Sequence, residues 1–508
     1  MNNSNSKSIE QQTDVLVVGG GPGGATAAAL LAKAGLSVLL LEREIFPRYH
    51  IGESLLASCL PTLKLSGAYD KVAAHGFQVK RGAVFHWGPD IWVLDWAKLI
   101  DPDAWSWQVD RAAYDHILLC NAKEQGVKVV EGATVKRVLF EGDRATGAEW
   151  VMRGDSRVNT ARFRYIVDAS GRTGVLSQQH FKMRSQHAIF QNIAIWGYWK
   201  GARLLPDSPS GGINVVSSPD GWWWHIPLGG ERYSVGLVTH KHKYAKERQP
   251  WLSLKDYYLG RLNQVPAMQM ATEAAQLVGE VQAEQDYSYV SERFCGPGYF
   301  LVGDAACFLD PLLSTGVHLA QYSAMLAAAS ISSAVKGEVE EPEAYRFYEY
   351  IYRRAYTRML VLVSTLYQQY NGKDDYFWGA QKLVHQKMHH AEPVRSFTDI
   401  IIGNADMREA TQVDTRILDQ QLIGEAEAAQ MAKAAGGGAN GLHSLDVTAT
   451  WGPWRNLVGD DTSIGDFYLV TEPALGIRRG QNSTQESGQY SPQNSTQNSA
   501  SEEVIDVW

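Results

Sequence analysis

Gly19, Gly21 and Gly24 stand at GxGxxG spacing, after the apolar run Asp14–Val18 and before the helix-forming run Ala25–Ala34. Gly19 permits a tight turn, Gly21 lets a pyrophosphate approach the backbone, and Gly24 lets helix and strand pack closely. Pro22 and Gly23 complete the turn. A helix that begins there presents free N–H groups and a positive dipole end to phosphate. Glu42 follows Gly24 by eighteen residues and is placed to accept hydrogen bonds from ribose hydroxyls. Strand, helix, spacing and acid together imply a bound dinucleotide. Metal chemistry has little support. His389 and His390 are adjacent and point to different sides of a helix. His240 and His242 share one face of a strand but have no third ligand. Cys59, Cys120, Cys295 and Cys307 contain no CxxC pair, so neither a metal site nor a disulfide framework is expected, and a reducing cytoplasm fits.

These residues need a scaffold, and the patterning supplies one. Asp14–Val18, Ala25–Ala34 and Ser37–Glu42 read as a βαβ unit, with Gly35 ending the helix. Further strands are expected at Tyr165–Asp168 and at Tyr299–Val302, the latter leading into Gly303-Asp304. Between them the runs Asn192–Trp199, Gly212–Ser217, Trp222–Pro227 and Tyr233–Val238 are separated by Gly, Pro and Asp and read as an antiparallel sheet. After Thr315 the chain reads as helical to about residue 335 and again over about 343–370, and a shorter helix is expected at Glu425–Lys433. Eight tyrosines lie between Tyr345 and Tyr376, together with Phe347, Phe377 and Trp378. They read first as helix-packing core and second as one wall of an aromatic pocket. Beyond Gly480 the repeated Gln-Asn-Ser-Thr-Gln composition cannot bury enough apolar area to offset its ordering entropy.

The expected fold class is α/β. An FAD-binding Rossmann-like domain of the glutathione-reductase type spans 12–185 and 286–335. It is interrupted by an antiparallel β-sheet substrate region at 186–285 and followed by a mainly helical region at 336–475. Residues 1–11 and 480–508 are expected to be disordered tails. The net charge of −8 over 508 residues argues against a nucleic-acid partner. No apolar run reaches the roughly 18 residues of a membrane span. Residues 1–13 are polar, with no signal-peptide core.

Glu42 followed by Arg43, with Gly303-Asp304 after a late strand, favours FAD over NAD. In FAD enzymes of the glutathione-reductase class a late Asp binds the ribityl chain. Asp304 fits that place, or it caps the helix entered near Pro311. Gln108 and Arg111 fall where that class often contacts its cofactor.

Beyond these, the chain resembles the flavin-dependent halogenases over roughly residues 12–400. The resemblance rests on Gly19–Gly24, on the segment Phe46-Pro47-Arg48-Tyr49-His50-Ile51-Gly52-Glu53-Ser54, and on Lys80 in Val79-Lys80-Arg81-Gly82. It also rests on WxWxIP at Trp222–Pro227 and on Asp310-Pro311-Leu312-Leu313-Ser314-Thr315-Gly316. It implies that FADH2 and O2 form a flavin C4a-hydroperoxide, which converts a halide held at Thr315 and Gly316 into hypohalous acid. That species then reaches Lys80, where an electron-rich aromatic ring is chlorinated or brominated. Burial is expected to lower the pKa of this lysine. The resemblance places Ser54, Val135, Asp168, Gly171, Pro311 and Gly316 beside the cofactor. It makes Trp222, Trp224, Ile226 and Pro227 a barrier between flavin and substrate. Tryptophan halogenases carry Glu immediately before Ser-Thr-Gly, where this chain has Leu313. That departure argues against a free-indole substrate. The resemblance across the chain, rather than any single residue, implies the subgroup acting on phenol or pyrrole rings, often tethered to a carrier protein in natural-product assembly, with a phenolic, tyrosyl-like ring foremost. A separate flavin reductase is the implied partner. A GxGxxG fold alone also suits an aromatic hydroxylase or a prenyl reductase.

Overall fold

The computed structural model describes residues 10–88, 90–249, 251–369, 401–411 and 467–480. The expected helix Glu425–Lys433, the tail after Gly480, Phe377, Trp378, His389 and His390 lie outside the described residues.

The apolar run after Asp14 is a fully buried strand, Val15–Val18, at the centre of a six-stranded sheet. Its neighbours Val38–Glu42 and Tyr165–Asp168 run parallel to it, and Lys128–Glu131 and Tyr299–Leu301 extend the parallel sheet on either side. Strands buried on both faces read as continuous apolar runs, as here. The first crossover is the helix Pro22–Lys33, with Pro in its first turn and Lys33 in its last. It packs beneath the long helix Thr315–Lys336. Gly24 makes the strand–helix contact possible, because a Cβ there would collide with the carbonyl of Gly19.

The second layer is an eight-stranded sheet. Its order is Cys307–Phe308, Gln276–Ser291, Arg184–Lys200, Arg232–His240, Gly221–Gly229, Ile213–Ser218, Gly82–Trp87 and Asp90–Asp95. It is larger than the expected insertion at 186–285. Two strands near residues 82–95 join it through the parallel pairing of Gly82–Trp87 with Ile213–Ser218. That contact spans well over a hundred residues and leaves no local sequence signal. Glu10 and Gln11, expected in a disordered tail, instead pair together with Gln12 against Asn159–Arg162 at the edge of a four-stranded sheet.

The Trp triplet shows the two-residue period of a strand. Trp222 and Trp224 point into the main core, while Trp223 joins a separate core beneath the helix Leu254–Leu262, 5.5 Å from Tyr258. Gly236, opposite Trp224, is required there, because any Cβ would meet the indole.

The helix Glu341–Gln369 carries the tyrosine-rich stretch. Tyr348, Tyr352 and Tyr356 are fully buried at four-residue spacing, which makes one packed helix face. The Tyr348 hydroxyl donates to the Leu301 carbonyl at 2.6 Å. These side chains are core. Tyr367, further along, hydrogen-bonds Asp310 and accepts from Trp222 Nε1.

Candidate active site

Above the C-terminal ends of the parallel strands lies a cavity of about 960 Å³. Gly19, Gly21, Pro22 and Gly23 line one end, with Glu42 and Arg43. Gly21 precedes the helix without any side-chain cap, so the first N–H groups of Pro22–Lys33 have no side chain competing for them. Gly19 holds a φ of 101°, open to glycine. Glu42 is buried. Its Oε2 accepts from the Gly20 amide at 2.6 Å and its Oε1 from the Glu44 amide at 2.7 Å. A carboxylate offers about four acceptor sites, so lone pairs remain for a ribose.

Ser54, Arg111, Val135, Gly171, Asp304, Pro311, Thr315 and Gly316 also line the cavity, with Trp222, Trp224 and Ile226 from the large sheet. Arg111 donates to the carbonyls of Ile51 and Gly52 at 2.9 and 3.1 Å, and pairs with Asp115 at 2.8 Å. It thereby fixes the strap at residues 46–56. The far end of that strap is held where Ser58 Oγ meets His318 Nδ1 and His318 Nε2 meets Asp406, each at 2.8 Å.

Asp304 is pushed above its ordinary pKa by burial, opposed by Arg172, Arg111 and Arg184. The capping role at Pro311 belongs to Asp310, whose Oδ1 accepts from the Leu312 amide at 3.0 Å. Ser314 sits at a φ of 58°, and Thr315 opens the helix Thr315–Lys336. The Thr315 hydroxyl is buried and has no hydrogen-bond partner among the described residues.

Five of the expected residues do not line the cavity. Gly24 acts through packing, as above. Asp168 lies behind the wall, where its carboxylate accepts from the Ser170 hydroxyl at 2.5 Å and the Leu176 amide at 2.7 Å. It shapes the turn that carries Gly171. Gln108 is buried and donates to the Gly211 carbonyl at 3.1 Å. Pro227 pairs with Tyr233 at the far end of its strand.

Lys80 also stands behind the wall. It is 2 % exposed, and its Nζ donates to Ser54 Oγ at 2.8 Å and to the Leu55 carbonyl at 3.0 Å. Trp96 lies 5.0 Å from the ammonium. Desolvation pulls its pKa down to about 7.

The sequence reading assigned no role to Arg48, Tyr49, Glu53 or Trp196, which also line the cavity. Arg48 lies over Gly21 and pairs with Asp115 at 3.1 Å. Among the described residues no group of three or more His, Cys, Asp or Glu could hold a metal ion, and no helix is long and apolar enough to cross a membrane.

A glycine-lined helix start, a ribose-side acid and a cavity at the topological end of a parallel sheet define a dinucleotide-binding α/β protein. Residues 14–99 and 93–415 match the family described as tryptophan halogenase, and the chain belongs to that family of FAD-dependent enzymes. It is 38% identical over 510 residues to a tryptophan 2-halogenase of Chondromyces crocatus, covering 93% of this chain and 95% of the relative. It is 36% identical to the flavin-dependent halogenase armH3 of Armillaria mellea, covering 72% of this chain and 76% of that one. The solved structure of the myxobacterial chondrochloren halogenase CndH, an FAD-dependent halogenase, superposes with a TM-score of 0.67 at 36% identity. That likeness covers 77% of this chain and 90% of that one. The protein is thus a flavin-dependent halogenase acting on an aromatic substrate.

Proposed function

We propose that this halogenase chlorinates or brominates an electron-rich phenolic or tyrosyl ring, free or carried on a carrier protein, with Lys80 delivering the halogen. The observation that supports this reading is the Lys80 ammonium, buried beside Ser54 at the cavity wall and poised to be neutral near pH 7. A neutral amine can accept a halogen from hypohalous acid, and a charged one can only hydrogen-bond it.

When bound, reduced FAD supplied by a separate flavin reductase would provide, with O2, the oxidising equivalent. Gly19, Gly21, Pro22 and Gly23 would hold its pyrophosphate and Glu42 its ribose, and Arg43, Arg111, Val135, Gly171, Asp304 and Pro311 line the same cavity. Gly24, Gln108 and Asp168 support that wall from behind. Thr315 and Gly316 take the halide, where a helix N-terminus and an unengaged hydroxyl favour an anion. Trp222, Trp224 and Ile226 keep the ring away from the flavin, and Pro227 ends that wall.

Leu313, a buried apolar side chain where a carboxylate is expected for indole substrates, argues against a free indole, and the phenolic ring is inferred from the resemblance across the chain. The name of one relative favours tryptophan instead. The deciding experiment supplies FAD, flavin reductase, NADH, O2 and halide with free tyrosine derivatives, carrier-tethered tyrosyl substrate and tryptophan, read by mass spectrometry. A halogen isotope pattern on the phenolic substrates, lost in Lys80→Ala while FAD binding survives, is the expected result. Halogenation of tryptophan alone overturns the phenolic assignment. Unchanged product from Lys80→Ala overturns the role of the lysine.

A further inference from the structure

Glu53 is 3 % exposed, lines the cavity, and belongs to the same strap as Ser54. Its Oε1 accepts from the Tyr198 hydroxyl at 2.8 Å. The Tyr198 and Tyr49 hydroxyls lie 2.9 Å apart, and Trp196 Nε1 donates to the Tyr49 oxygen at 2.8 Å. Tyr49 is 49 % exposed and also lines the cavity. Three oxygens therefore form a continuous hydrogen-bonded row from a buried carboxyl to an exposed phenol. The other carboxyl oxygen, Oε2, is buried and has no hydrogen-bond partner among the described residues. The nearby Ser234 hydroxyl, held by Trp224, favours the charged form without closing a bond of normal geometry to that oxygen.

The reaction consumes one proton per turnover. With X⁻ the halide and ArH the ring, the balanced turnover is FADH2 + O2 + ArH + X⁻ + H⁺ → FAD + ArX + 2 H2O. The C–H bond of the ring is replaced by C–X, O2 is reduced to water, and FADH2 and the halide are oxidised. One proton must enter from solvent with each halide, because hypohalous acid rather than hypohalite is the reactive form.

We propose that Glu53, Tyr198 and Tyr49 are a proton relay that brings this proton from solvent into the halogenation cavity, an inference that rests on the halogenase reading above. With Glu53 ionised, the row points inward, from Tyr49 to Tyr198 to Glu53. With Glu53 protonated, it reverses, and the Tyr49 hydrogen faces out. The hops that protonate Glu53 carry one proton inward, and the row resets by rotation of its hydroxyls once Glu53 has released that proton to the cavity. The donation from Trp196 fixes the Tyr49 oxygen in either state, since a phenol oxygen accepts while its own hydrogen points elsewhere. Burial raises the Glu53 pKa to about 7, so both states are populated at neutral pH. The groups facing Glu53 are Tyr198, Ser234, Arg232 and Asp110. Arg232 stacks 4.2 Å over the Tyr198 ring and pairs with Asp110 at 3.0 Å, placing one cation beside the middle of the row. Both phenols are raised above their ordinary range and rest neutral.

The test measures halogenation rate in weak and strong imidazole buffer, together with infrared spectra of the cofactor-free protein taken on either side of pH 7. Glu53→Gln is expected to halogenate roughly 10²-fold more slowly. Tyr49→Phe and Tyr198→Phe are expected to be slow in weak buffer and to recover as imidazole rises, with FAD affinity unchanged. A protonated-carboxyl band should titrate near neutral pH and vanish in Glu53→Gln. Tyrosine variants that keep the wild-type rate in weak buffer, or slow variants that imidazole does not restore, overturn the relay. So does an infrared band indifferent to Glu53→Gln. A wild-type protein that halogenates no ring refutes the functional reading instead, and the infrared titration then judges the relay by itself.

Discussion

The strap at residues 46–56 carries a buried cation on one side and a buried acid on the other. Lys80 Nζ is held by Ser54 and Leu55, and Glu53 is held by Tyr198 of the large sheet. Burial moves both toward their neutral forms. It lowers the lysine from 10.5 and raises the glutamate from 4.5, each to about 7. Their surroundings differ. Lys80 meets two neutral acceptors and an indole, an arrangement that fixes a nitrogen in place. Glu53 meets a row of hydroxyls that can reverse. The same desolvation therefore yields a positioned nucleophile on one side and a proton reservoir on the other.

The largest expected effect separates the two sides. Lys80→Met should abolish halogenation and also stabilise the protein. The folded pKa of Lys80 lies below its unfolded value, so the unfolded chain binds the extra proton between pH 7 and 10.5. Wild-type stability therefore rises with pH across that window because of this group. Its penalty is full below pH 7, on the order of 5 kcal/mol. Urea titrations of wild type and Lys80→Met should diverge most at or below neutral pH and converge near pH 10.5. Curves that stay parallel would mean the ammonium is not desolvated.

Glu53→Gln should act with the opposite slope and a smaller size. Here the folded pKa exceeds the unfolded one, so wild-type stability falls as pH rises from 4.5 to 7. The penalty is absent below pH 4.5 and about 3 kcal/mol above pH 7. The variant should match wild type in acid and exceed it at alkaline pH. Equal stability of the two proteins at pH 8 would show that the carboxyl is solvated.

These two sides were not equally legible in the sequence. The nucleotide end reads locally, because GxGxxG, Glu42 and the flanking strands lie within thirty residues and each answers to a backbone requirement. Lys80, Thr315 and the tryptophan pair came from separated motifs whose resemblance supplied the roles. Gln108 and Asp168 fell near the right place but behind the wall, since sequence position does not say which way a side chain points. The Glu53 side was missed. Its partners Tyr198 and Trp196 come from a strand 145 and 147 residues from Glu53 and Tyr49, respectively. The one local hint is that Trp196 and Tyr198 share a strand face. The contribution of Gly82–Asp95 to the large sheet was invisible for the same reason, being a long-range parallel pairing.

A third buried group shows whether hydroxyl contacts alone set the behaviour of an acid. Asp310 is fully buried, with its pKa pushed up to about 6 by desolvation. Its Oδ2 accepts from the Tyr367 hydroxyl at 2.7 Å and from Asn192 at 2.8 Å, and Trp222 Nε1 donates to the same Tyr367 oxygen at 2.6 Å. Among the described residues this row meets an indole N–H, which gives up no proton at neutral pH, so it ties Trp222 to the helix Glu341–Gln369. Tyr367→Phe should leave the imidazole response of halogenation untouched. It should destabilise the protein by about 1–3 kcal/mol, since it strips the carboxylate of a donor and orphans a buried indole N–H. The hydroxyl favours the charged carboxylate, so the loss should be larger above pH 6 and smaller below pH 4, where Asp310 is protonated in both states. A loss independent of pH would assign Tyr367 to Trp222 alone. An imidazole-dependent rate in Tyr367→Phe would make this a second proton path and erase the distinction between a hydroxyl that relays and one that locks.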